Sequence, residues 1–165
     1  MNAEVALQFL RDHQPLPPTS RIDGSLLRRF DEICRYFAVH LDSRSVPLIL
    51  NALGDGDGHG VYQLVEETVL AYPESVVIPA LQQGLQSPFA SVRYWSAQIA
   101  ANYCREELIE PLGQVLDRGS LDEGLAAVTA LELIGSPDAD RRLRAALQSC
   151  VDERVRAAIR DALAR

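Results

Sequence analysis

Apolar residues recur every three or four positions through most of the chain, and segments that alternate apolar with polar are scarce. That is the period of a helix with one buried face, so the pattern predicts an all-α fold. Leu26, Phe30, Ile33, Cys34 and Phe37 make one such stripe, and Val151, Val155, Ile159 and Leu163 make another. Breakers cut the pattern into short pieces at Pro15, Pro17 and Pro18, at the Gly54 to Gly60 loop, at Pro73, Pro88 and Gly119, and at Ser136-Pro137. About nine helices are expected.

A second, longer period lies over the helical one. Leu50, Leu81, Leu112 and Leu143 stand 31 residues apart three times running, each followed three or four residues later by Leu53, Leu85, Leu116 or Leu147. A polar turn comes next (GDGDGHG, QSPFAS, DRGSLDE, QSCVDER), then a second helix opening VYQLVEE, VRYWSAQIA, GLAAVTALEL or VRAAIRDAL. A period in this range is the mark of stacked units that share a core, because one helical hairpin cannot hide its apolar face alone. The expected architecture is a short α–α superhelix in one domain. Residues 1–45 would supply N-terminal cap helices, residues 46–165 four helical hairpins, and the last helix, with Arg154, Arg156, Arg160 and Arg165, would keep the other end solvated.

The second helices add a motif. Val92-Arg93 and Val155-Arg156, followed by Ala97, Ile99 and Ala100 or by Ala157, Ala158 and Ile159, resemble the HEAT and HEAT-like (phycobilisome-lyase-type) repeat families over residues 46–165. The pattern is broken at Val61-Tyr62 and at Gly124-Leu125, so any ladder of arginines along the repeats would be interrupted. The resemblance implies a scaffold for contacts and says little about activity, since such repeats carry unrelated functions. Some HEAT-like proteins are DNA glycosylases and others are lyases or chaperones for bilins. Cys104 is where the second activity would be sought, and nothing in its surroundings supports it.

Charge narrows the partners. The chain carries 16 Arg, no Lys and 23 acids, a net charge of −7, which speaks against nucleic acid as a ligand because phosphate needs a basic face. Residues 1–140 hold 9 Arg and 20 acids, whereas residues 141–165 hold 7 Arg and 3 acids. Three cysteines, Cys34, Cys104 and Cys150, are odd in number and widely spaced, which suits a reducing compartment and neither a disulfide framework nor a zinc motif. No run approaches the length of a membrane span, and the first residues lack a basic segment followed by an apolar one. A cytoplasmic protein is expected.

The stretch ALGDGDGHGVYQLVEE, residues 52–67, carries the densest signal. In an EF-hand register Asp55, Asp57, His59, Gly60 and Glu66 would take positions 1, 3, 5, 6 and 12, but an imidazole is a poor calcium ligand and no second loop exists to pair with it. The loop also falls where every other unit has its turn. Between Arg44 and Arg93 there is no basic residue, while Asp55, Asp57, Glu66, Glu67 and Glu74 give five negative charges near Tyr62, Tyr72 and Phe89. An acidic strip flanked by aromatics steers a basic protein and then anchors it.

Catalytic constellations are missing from the sequence: His13, His40 and His59 are scattered, and no His-Glu-x-x-His, Gly-x-Ser-x-Gly or phosphate loop occurs. The acids Glu106, Glu107 and Glu110 suit the start of a helix. The reading is a non-catalytic protein-binding scaffold without cofactor or metal. Its partner-binding residues are Asp55, Asp57, His59, Tyr62, Glu66, Glu67, Glu74 and Phe89. The sharper form is an immunity-type inhibitor of a basic effector or nuclease toxin. A HEAT-like lyase or glycosylase and a calcium-responsive module stay open as alternatives, as does the oligomeric state.

Overall fold

Ten α-helices and two 3-10 turns, with no strand, make up the described residues, 1–164, of the computed structural model. Arg165, assigned above to the basic last helix, lies outside them. The helices are α1 (Ala3–Asp12), α2 (Gly24–Val39), α3 (Ser45–Ala52), α4 (Val61–Leu70), α5 (Glu74–Leu85), α6 (Ala90–Ala100), α7 (Ile109–Arg118), α8 (Leu121–Ile134), α9 (Pro137–Ser149) and α10 (Glu153–Leu163).

That is one helix more than the expected nine, and the reason is chemical. Two of the boundaries, at residues 40–44 and 101–105, contain neither Gly nor Pro. At the first, the Asp42 carbonyl accepts the Ser45 N–H and hydroxyl, at 2.9 and 2.8 Å, and starts α3. At the second, Cys104 takes a left-handed conformation with φ 39°. Conversely Pro47 and Pro111 break nothing, because both sit in the first turn of a helix, where the missing N–H has no intrahelical partner.

The chain divides into two compact units, Met1–Ala80 and Leu81–Arg165. In the first, α1 packs on α3 and α2 on α4. The two helices of the segment 1–45 thus meet the next two one for one. Leu7, Leu10, Phe30, Ile33, Phe37, Ile49 and Leu50 are fully buried between them.

In the second unit α6, α8 and α10 pack in sequence, α7 packs on α9, and each of these first helices also packs on the second helix of its own hairpin. This two-layer stacking of hairpins is an α–α superhelix. The periodic leucines supply its core, since Leu81, Leu112 and Leu143 are all fully buried, as is Leu50 in the first unit. Side chains close the helix starts: Asn2, Asp23, Ser136 and Asp152 accept N–H groups of α1, α2, α9 and α10.

Candidate functional site

The Gly-rich loop is the turn inside the α3–α4 hairpin, and it is clamped to the turn inside the α1–α2 pair. Leu16 N–H donates to the Ala52 carbonyl at 2.9 Å, Thr19 N–H to the Asp55 carbonyl at 2.8 Å, and Gly58 N–H to the Thr19 hydroxyl at 2.8 Å. This accounts for glycine where a plain helix connection would not need it. A Cβ at Gly54 would sit on the Leu16 carbonyl oxygen, and one at Gly58, where φ is +57°, would lie 2.7 Å from the Tyr62 ring. His59, at φ 50°, also adopts the left-handed region, held by the Asp57 carboxylate, which accepts its N–H at 2.9 Å. The turn thus contributes an ordered display of side chains rather than a loose tether.

Asp55, Asp57, His59, Glu67 and Glu74 are exposed and Glu66 is half-buried. Asp57 and His59 share one turn, and Glu67 follows along α4, where its charge acts on Arg35 of α2. Among the described residues no three His, Cys, Asp or Glu side chains converge as a metal site would require.

The aromatic flanks need correction. Tyr62 is fully buried, edge-on to Phe30 at 6.0 Å between ring centroids, and burial pushes its phenol up from the ordinary tyrosine range. It cannot touch a partner. Tyr72 is also buried: its hydroxyl donates to the Phe37 carbonyl at 2.9 Å, lies 2.8 Å from the Ser45 hydroxyl and accepts the Asp42 N–H at 3.3 Å, tying the end of α2 to the start of α3. Phe89 is 45% exposed but belongs to the second unit, as the residue before α6. The apolar side chains that do reach the surface of α4 are Leu64 and Leu70, 45% and 48% exposed. In sequence a leucine at helical spacing has the same signature whether it faces core or solvent, and only burial separates the two.

Cys34 is buried, and burial pushes its thiol far above the ordinary range. His40 ends α2 and stacks on Tyr36 at 4.4 Å. Glu106 and Glu107 open a 3-10 turn, and Glu110 lies in the first turn of α7, which follows it.

The second unit shows what the Val-Arg motif does. Arg93 Nε donates to Glu123 Oε1 at 2.7 Å and Arg93 Nη1 to the Ser87 carbonyl at 2.8 Å, while Glu123 Oε2 accepts the Ser120 N–H at 2.8 Å. Glu123 is 2% exposed. A buried carboxylate therefore ties one hairpin to the next and closes the start of α8 at the same time. Arg156 repeats the inward turn, donating to the Cys150 carbonyl at 3.3 Å.

Stacked antiparallel hairpins with an arginine at the start of alternate second helices define an α-helical repeat protein. The profile of the HEAT repeats matches residues 78–164, more than half of the 165, and the chain belongs to that family. No curated protein and no solved structure matched it. HEAT repeats commonly mediate protein–protein interaction, and members are typically non-catalytic scaffolds. No described helix is long and apolar enough to cross a membrane.

Proposed function

We propose that this protein captures a basic protein partner with the surface formed by the α3–α4 turn and helix α4, acting as an immunity-type inhibitor of a cationic effector such as a nuclease toxin. One observation carries the reading: Asp55, Asp57 and Glu67 are presented together with Leu64 and Leu70 on an ordered turn and its helix, in a stretch without a basic residue from 45 to 92. Exposed acids accelerate encounter with a cationic surface, and exposed leucines on the same helix supply the apolar contact that slows release. An acidic inhibitor suits an effector that itself binds nucleic acid, because the two compete for one basic face. The surface is proposed to act in the cytoplasm, where such an effector would be neutralised.

Capture from the native host identifies the partner, and titration across ionic strength tests the mode of binding. Changing Asp55, Glu66 and Glu67 together to Ser leaves the Asp57 cap in place and is expected to weaken binding at low salt and flatten its salt dependence. Wild-type affinity that does not respond to salt, or is unaltered in the triple variant, overturns the proposal.

A further inference from the structure

A cleft of about 140 Å³ opens between α2 and α4, which pack on each other in the first unit. Its walls fall at positions 31, 34, 35 and 38 of α2 and at 61, 64, 65 and 68 of α4, the same i, i+3, i+4, i+7 face of each helix. The space exists because α2 carries small side chains there, Cys34 and Ala38, which leave the branched residues of α4 unmatched. The polar groups of the walls already have partners. Arg35 Nε donates to Asp31 Oδ2 at 2.9 Å, with the rest of the arginine side chain turned to water at 68% exposure, and the Thr68 hydroxyl donates to the Cys34 carbonyl at 3.4 Å. A polar guest would give up its water for little in return, whereas Ala38, Val61, Leu64 and Val65 offer apolar contact.

We propose that this cleft is the anchor of the partner interface, taking one leucine-sized apolar side chain that basic residues flank on the partner. The inference rests on the capture of a basic protein by the α4 surface, to which Leu64 and Glu67 belong, and extends that surface to α2. An apolar cavity of about 150 Å³ accepts a guest the size of benzene, so the space here suits one side chain and no more. Single side chains seated in such pockets dominate the energy of many interfaces. The flanking charge follows from the rim. Asp31 and Arg35 offset each other, whereas Glu67 is exposed on α4 and its carboxylate accepts no hydrogen bond, acting on Arg35 only at longer range. One negative charge is left over beside an apolar slot, which favours a cation next to the inserted side chain.

The test uses the intact chain and three blocked tripeptides, Arg-Leu-Arg, Arg-Ser-Arg and Glu-Leu-Glu, each acetylated and amidated. Isotope-labelled protein is titrated with each while backbone amide shifts are followed. Saturable shifts at Ala38, Leu64 and Thr68 with Arg-Leu-Arg are expected, with weaker binding of Glu-Leu-Glu and no saturation with Arg-Ser-Arg. No saturation with Arg-Leu-Arg, or an equal response to either of the other two, overturns the assignment.

Ala38→Leu fills the cleft from within and should abolish the shifts. Glu67→Gln serves independently of that variant's folding, since Glu67 is exposed, and should weaken Arg-Leu-Arg about two- to threefold, the scale of an exposed ion pair. Wild-type affinity in either folded variant overturns the proposal. Salt-dependent capture of the partner without the leucine-selective shifts overturns the cleft alone, whereas salt-independent capture with those shifts intact overturns the acidic surface and leaves the cleft standing.

Discussion

Single residues decide more here than their exposure suggests. Gly54 has no room for a methyl group beside the Leu16 carbonyl, so Gly54→Ala is expected to cost about 1–3 kcal/mol in urea unfolding, the scale of overpacking a tight contact. A cost below a few tenths of a kcal/mol would mean that the two turns are not clamped. The three thiols should separate by access and by burial: Cys104 is exposed, Cys150 intermediate and Cys34 buried with its thiolate disfavoured. Reaction with a thiol reagent in the native state is expected in that order, Cys34 only on unfolding. A fast native reaction at Cys34 would place that thiol outside the core.

At the level of elements, helix starts and hairpin contacts are coupled through carboxylates. Glu123 serves Arg93 and the Ser120 N–H at once, and removing it leaves a guanidinium whose side chain is only 14% exposed. Glu123→Ala should cost about 3–5 kcal/mol, the scale for breaking a buried pair. Glu123→Gln keeps an acceptor and should cost less. Equal stability of the two variants in denaturant unfolding would show that the charge, not the acceptor, matters.

Asp23 and Asp152 close α2 and α10. The Ser25 hydroxyl and N–H hold Asp23 below the ordinary value of 3.8, and the Arg154 N–H and guanidinium do the same for Asp152. A carboxylate lowered on folding contributes stability that is present above its unfolded pKa and lost as pH falls through the folded one. The denaturation midpoint should therefore drop below about pH 4, the reference range of a carboxylate. Asp23→Asn and Asp152→Asn, which can still cap, should each flatten that limb. An unchanged acid limb in both would remove the caps from the account.

For the whole molecule, charge is divided unevenly. Residues 1–80 hold 6 Arg and 11 acids, giving −5, and residues 81–165 hold 10 Arg and 12 acids, giving −2. A cationic partner of the kind proposed would be steered to the first unit, so its association rate should fall as ionic strength rises while dissociation changes little. Stopped-flow association measured across salt checks this, and a rate that does not vary would separate the acidic surface from recognition.

The helical class, the hairpin period and the family were all legible in the sequence, because a repeat writes the same spacing several times. Burial of Leu50, Leu81, Leu112 and Leu143 needs no more than the rule that a shared apolar face must leave water. Boundaries at Gly and Pro were legible for the same kind of local reason, whereas those made by Asp42 and Cys104 depend on side-chain bonding and a single unusual φ.

What only the tertiary structure decided is which way side chains point and what lies across from them. Tyr62 and Leu64 sit two positions apart on one helix, yet the packing of α2 buries the first and leaves the second in solvent. The glycines of residues 54–60 look like a ligand loop in sequence because their reason, the neighbouring turn at Leu16 and Thr19, lies some 36 residues away along the chain. Periodicity reports what each stretch must bury; the identity of the neighbour that does the burying is a property of the folded chain.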